Sequence, residues 1–240
     1  MNDQTNTPRI LHLETSGLAC SVALTSGLEL VTTQSHIDRQ FSHAEKLTGF
    51  VMEVLKDAGV EPSGLHAVAV SAGPGSYTGL RIGVATAKGL CYALGIPLIS
   101  VPTHEVMVSH VLKNHPQRLT DVQFLCAMLD ARRMEVYAAV YDTSGMRCRD
   151  VRAEVVQEDY LLGFREKGNV LFFGDGERKC REAFGDQWLQ AEWLADVYPI
   201  AEDMIETALR KWHAAEFEDP AYYTPFYLKE FEAKKAKKLI

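Results

Sequence analysis

Two acids, Glu14 and Asp130, each close a short apolar stretch, ILHLE and FLCAMLD. Carboxylates that end strands on either side of a cleft can hold a magnesium-bound water and serve phosphoryl transfer. The same placement also caps turns, and Asp130-Ala131-Arg132-Arg133 sets two cations beside the second acid, which favours ion pairing. A third feature is AVAVSAGPGSYTGLRIGVATAKGL, residues 67–90, an apolar run that enters Gly73-Pro74-Gly75 and continues with a helical pattern. Amides and dipole at a helix N-terminus favour an anion. The turn is no P-loop, because Gly79 is followed by Leu80 and Arg81, and no dinucleotide fingerprint, because Thr78 takes the place of the third glycine. Glu14, Ser16, Gly73, Gly75 and Asp130 are therefore the candidate contacts for a nucleotide or anion. The plainer reading is a tight strand-to-helix turn.

Other catalytic patterns are weak. His43 is followed at i+4 by Leu47 rather than a second histidine, His104 and His110 are six apart, and H-E-x-x-H does not occur. The expectation is no metal. Ser76 has no evident histidine partner, and Cys20 in LACSVAL falls on or beside a strand, so neither reads as a triad nucleophile.

The elements that must position these groups follow from periodicity. Residues 8–13, CSVALT from Cys20 and LELVTTQ from Leu28 are separated by turn residues and predict a three-stranded meander. SHAEKLTGFVMEVLKDAG predicts an amphipathic helix over 42–58, with Ser42 and Glu45 as a capping box and Gly59 as its end. HAVAVSAG reads as a strand buried on both faces, hence parallel. A helix from Thr78 to Leu94 and the strand PLISV follow. The second half repeats the plan: FLCAMLD, then MEVYAAVYD and VRAEVV, a short helical stretch from Tyr160, and NVLFF running into Gly174-Asp175-Gly176. Further helical segments follow, the clearest over 200–213. This order predicts an α/β protein of the actin-like, ribonuclease H-like (ASKHA) class, with duplicated βββαβα lobes. The boundary is placed near Pro102–His104, giving lobes 1–104 and 105–240, with the last helix free to pack back on the first lobe.

The helix after the glycine turn carries two stripes of small residues, Gly79/Gly83/Ala87 and Ala85/Gly89/Ala93. Each helix-interior glycine costs roughly 1 kcal/mol against alanine, so close packing must offset it. One stripe suits this chain's own sheet. The other suits the 42–58 helix or a helix of another polypeptide. Phe50 and Met52 point to different sides of the 42–58 helix, which predicts cover on more than one flank.

Of 240 residues, 47% are hydrophobic and 24% charged, with a formal charge of -7. That acidity disfavours the chain as the main grip on nucleic acid. Five cysteines without a C-x-x-C pair suggest buried thiols in a reducing compartment. A polar N-terminus and the lack of a long apolar run suggest a cytoplasmic protein with no membrane association. The tail with Lys234, Lys235, Lys237 and Lys238 reads as solvated.

ILHLETSGLACSVAL, HAEKL and SAGPGSYTGLRIGVATAKGLCYALGIPLISVPT resemble the TsaB (YeaZ) family, most strongly over residues 10–103, with weaker likeness at LDARRMEVYAAVYD, GDG and YLKEF. The resemblance implies an actin-like fold and a non-catalytic subunit of the assembly that makes N6-threonylcarbamoyladenosine at position 37 of tRNA. It implies docking on the catalytic subunit TsaD through the first two helices, with the ATPase TsaE joining them and tRNA met only indirectly. It also implies self-association when the partner is missing. The TsaD metal pair would fall on His43 and Leu47, so one ligand is replaced. On this basis the expected interface is His43, Leu47, Phe50, Val51, Val54, Leu80, Gly83, Val84 and Ala87, with no catalytic residue. No cofactor is expected beyond weak ATP, ADP or Mg contact at the partner junction. Glu14, where many relatives have Asp, keeps nucleotide contact open. The alternative is a nucleotide-dependent phosphotransferase or ATPase with Glu14 and Asp130 at its cleft.

Overall fold

A computed structural model describes residues 7–37, 43–188 and 190–229. Ser42 of the predicted capping box and the lysines of the tail lie outside these residues, as does the side chain of His43.

The first lobe comprises β1 (Arg9–Glu14), β2 (Ala19–Ser26), β3 (Glu29–Ile37), α1 (His43–Asp57), β4 (Ala67–Gly73), α2 (Tyr77–Leu94) and β5 (Leu98–Pro102). After α3 (Thr103–Asn114) come β6 (Val122–Asp130), β7 (Glu135–Asp142), β8 (Arg147–Val155), α4 (Leu162–Arg165), β9 (Asn169–Phe173), α5 (Glu177–Phe184), β10 (Ala191–Leu194) and α6 (Ile205–His213). The strands form two five-stranded sheets, ordered β3-β2-β1-β4-β5 and β8-β7-β6-β9-β10. Within each, the first three strands pair antiparallel and the last two add in parallel. The two topologies are identical, and the expected duplication is present. Gly73, which ends β4, and Gly174, which follows the matching strand β9, even share a backbone angle, φ +100 and +102, a region open chiefly to glycine.

Strand parity sorts the first sheet's side chains into two layers. Leu11, Leu13, Val68 and Val70 face α1 and α2, where Leu47, Val51, Val54, Val84 and Ala87 meet them. Ile10, Ala67, Ala69, Ile99 and Val101 face the other way, onto Val106 of α3 and Met204 and Ala208 at and near α6. The back layer of the first sheet thus comes from the end of the chain. Residues beyond α6 continue along the same lobe as a strap. Glu218 N–H donates to the Leu98 carbonyl (2.9 Å), Lys88 Nζ to the carbonyls of Ala221 (3.2 Å) and Tyr223 (3.0 Å), and Phe226 N–H to the Ala72 carbonyl (2.7 Å). Lys229 then pairs with Glu135 of the second lobe (2.5 Å).

Two elements escape the sequence reading. Helix α3 has no single apolar face, because Val106 packs with the first sheet while Met107, Val108 and Val111 pack with the second. Strand β10 is four residues long, too short for alternation to register. Among the described residues no helix is long and apolar enough to cross a membrane.

Candidate functional site

The glycine turn and both strand-ending acids lie where the sequence puts them, but their surroundings consume them. Glu14 is fully buried. Its Oε1 accepts from the Ser16 N–H (2.5 Å) and from the Ser71 hydroxyl (3.0 Å), while Oε2 and the Ser16 hydroxyl, both buried, have no hydrogen-bond partner among the described residues. Burial raises the Glu14 carboxyl to about 7, against the opposing pull of these hydrogen bonds. Asp130 is exposed and binds Lys179 Nζ (2.6 Å) and the Arg132 N–H (2.7 Å), and its own N–H donates to Asp175 (2.8 Å). Burial lifts Asp175 to about 6. The ion pairing inferred for Asp130 is present, with Lys179 rather than the adjacent arginines supplying the cation.

The turn itself is filled by carbonyl groups of this chain. A Cβ at Gly75 would fall inside the contact radius of the Ser16 carbonyl oxygen, and one at Gly73 would lie 2.6 Å from the Phe226 carbonyl oxygen. Ser76 N–H donates to the Ser16 carbonyl (2.7 Å), and the Ser76 side chain caps α2 by accepting from Gly79 N–H (3.3 Å). Gly73 and Gly75 thus admit close backbone approach by neighbouring segments. These carbonyl oxygens surround the expected anion contacts Ser16, Gly73 and Gly75. The sequence reading missed Ser71, Lys179, Asp175 and Phe226. Ser71 sits in the strand leading to the turn and could have been noticed there. Phe226 is brought to Gly73 by the strap alone.

The two helices pack closely within their own lobe. Leu47, Val51, Val54, Leu80, Gly83, Val84 and Ala87 are buried within the first lobe. Of the nine residues named for the interface, Phe50 is half-buried and the His43 side chain lies outside the described residues. The physical reason is the turn after β1. Thr15 Oγ1 donates to the Gly79 carbonyl (2.8 Å), and a Cβ at Gly83 would collide with that hydroxyl. The Gly79/Gly83/Ala87 stripe is therefore what lets α2 sit down on β4 and on the turn after β1. The other stripe, Ala85/Gly89/Ala93, is exposed, as are Thr48, Gly49 and Met52 of α1. Among the described residues, a Cβ at Gly49 or Gly89 would meet nothing within 4 Å.

Two sheets of one topology, paired helices over the first and an acid ending the first strand of each define a protein of the actin-like class. Similarity to known proteins narrows this. A family model described as "TsaD: tRNA N6-adenosine threonylcarbamoyltransferase" matches residues 38–171. The "tRNA threonylcarbamoyladenosine biosynthesis protein TsaB" of Bacillus subtilis is 31% identical over 168 residues, 69% of this chain and 70% of that one. The protein of the same name from Escherichia coli is 29% identical over 225 residues, 89% of this chain and 94% of that one. The solved structure "YeaZ from Pseudomonas aeruginosa" superposes with a TM-score of 0.74 at 26% identity, covering 92% of this chain and 100% of that one. The chain belongs to the TsaB (YeaZ) family.

Proposed function

We propose that this chain works in the biosynthesis of threonylcarbamoyladenosine in tRNA as a non-catalytic subunit that docks onto a TsaD-type catalytic subunit. The docking face is the outward side of α1 and α2. One observation carries this reading: Gly49 and Gly89 lie inside helices, each at a cost of roughly 1 kcal/mol, and nothing among the described residues of their own chain needs the missing side chain. A flat strip made by Thr48, Gly49, Ala85, Gly89 and Ala93 is suited to close approach by another helix pair, with Met52 and the exposed Tyr92 at its margins. A second copy of the chain fits the same strip when the catalytic subunit is missing. TsaE joins the assembly, tRNA contact is indirect, and any ATP, ADP or Mg contact is weak and confined to the junction. The phosphotransferase alternative loses support from Glu14, which is buried with one oxygen holding Ser16 and Ser71, and from Asp130, which is paired with Lys179.

The test is co-purification with the TsaD protein of the same genome. Gly89→Ala should raise the melting temperature of the isolated chain, since alanine is favoured by roughly 1 kcal/mol in an exposed helix interior. The double variant Gly49→Leu/Gly89→Leu should remain folded yet fail to co-elute. Wild-type co-elution by that double variant would remove this face from the assembly.

A further inference from the structure

The lobes and the strap together line a half-open cavity of about 160 Å³ whose wall is mainly apolar. Its lining comes from separate parts of the chain: Pro74 in the glycine turn, His104 at the start of α3, Tyr141 and Val151 on β7 and β8, Arg147, and Phe226 from the strap. A cavity near 150 Å³ is large enough for a benzene ring.

The polar groups on this wall are few and their states are set. His104 is buried, its Nε2 donates to the Tyr137 carbonyl (2.9 Å), and burial holds it down to about 4. The ring is therefore neutral, with Nδ1 left as an acceptor. Tyr141 is buried beside Arg147, and burial pushes the phenol pKa up, so the hydroxyl keeps its proton as a donor. Arg147 is the cation on this wall, and it is already engaged by Glu105 (2.8 Å) and Asp150 (3.3 Å). One positive charge against two negative ones leaves the cavity unwelcoming to a phosphate or carboxylate.

We propose that this interlobe cavity is a binding site for a small uncharged aromatic ring carrying both a hydrogen-bond donor and an acceptor, as a one-ring aromatic amide does. The ring lies between the apolar surfaces of Pro74, Val151 and Phe226. The donor meets His104 and the acceptor meets Tyr141. Phe226 closes the site: its side chain is 47% exposed, and the backbone bond from its N–H to Ala72 holds the strap in place above the turn. The site touches both lobes and the strap, and it is independent of the outward helix face assigned to docking.

Benzamide is the probe, with benzoate and Mg-ATP as charged comparators, titrated into the full-length chain and followed by protein amide chemical shifts. Benzamide should saturate below about 10 mM, in the range expected of a nine-atom ligand, and benzoate should bind at least about tenfold more weakly. Tyr141→Phe, which removes one oxygen, should weaken benzamide by about tenfold, the usual scale for one lost hydrogen bond. Val151→Trp should fill the cavity and abolish the shifts. The proposal is overturned if wild type shows no saturable benzamide binding, or if Tyr141→Phe binds as wild type does. It is equally overturned if benzoate or Mg-ATP competes with equal or greater strength. Should Val151→Trp fail to fold, the Tyr141→Phe and benzoate results still decide.

Discussion

Replacing Glu14 by glutamine should stabilise the protein, and more so as the pH rises. The carboxyl titrates near 4.5 when unperturbed and at about 7 in the fold, where burial disfavours its charge. A raised carboxyl pKa makes folding easiest below pH 4.5, where the group is neutral in both states. As pH climbs from 4.5 to 7, the unfolded chain gives up its proton and the folded one resists. The folded state thus loses stability across that window and levels off above it. The 2.5-unit gap between 4.5 and 7 corresponds to a ceiling of about 3 kcal/mol. Glutamine keeps an oxygen for Ser16 and Ser71 and carries no charge at any of these pH values. The assay is urea unfolding of both proteins at about pH 4 and pH 8. The stability difference between variant and wild type should widen by about 3 kcal/mol from the lower pH to the higher, or roughly 6–12 °C in melting temperature for a chain of this size. A difference that stays constant with pH would refute the reasoning, since it would mean that Glu14 is not held neutral by burial.

Other outcomes follow from the buried helix faces and the thiols. Leu47→Asp places an unpaired charge in the core and should cost at least about 3 kcal/mol, so the variant should lose the folded chain itself rather than only the partner, as circular dichroism would record. Gly83→Leu should do the same through its clash with Thr15, whereas Gly89→Leu should leave the melt intact. Thiol titration should count one reactive cysteine, Cys148, in the native protein and five after denaturation, because Cys20, Cys91, Cys126 and Cys180 are buried.

The duplicated strand order was legible because alternation and turn residues mark the meanders, and because acids and glycines recur at matching strand ends. The orientation of α2 was not legible. Both of its small-residue stripes satisfy the same spacing, and the close seat of the inward one involves the hydroxyl of Thr15, sixty-four residues from its Gly79 partner. A local hint existed, since Leu80, Val84 and Cys91 accompany the inward stripe and are buried with it. Glu14 was recognisable as a strand-ending acid, but its chemistry depends on Ser71, fifty-seven residues away, and on complete burial. Distant contacts of that kind decide whether a carboxylate meets solvent, and periodicity does not encode them.

The back layer supplied by Met204 and Ala208 has a consequence for synthesis. The first sheet is complete in sequence at Pro102, but beyond the part met by Val106 of α3 the face of Ile10, Ile99 and Val101 stays uncovered until residues about a hundred positions later leave the ribosome. At about 5–20 residues per second, that is a wait of roughly 5–20 s with an oily surface on display. The rear half of the polypeptide can assemble its own sheet in the meantime, so the earlier-made portion should be the later to mature. A nascent chain halted before residue 200 should be a better client for chaperones than the finished protein.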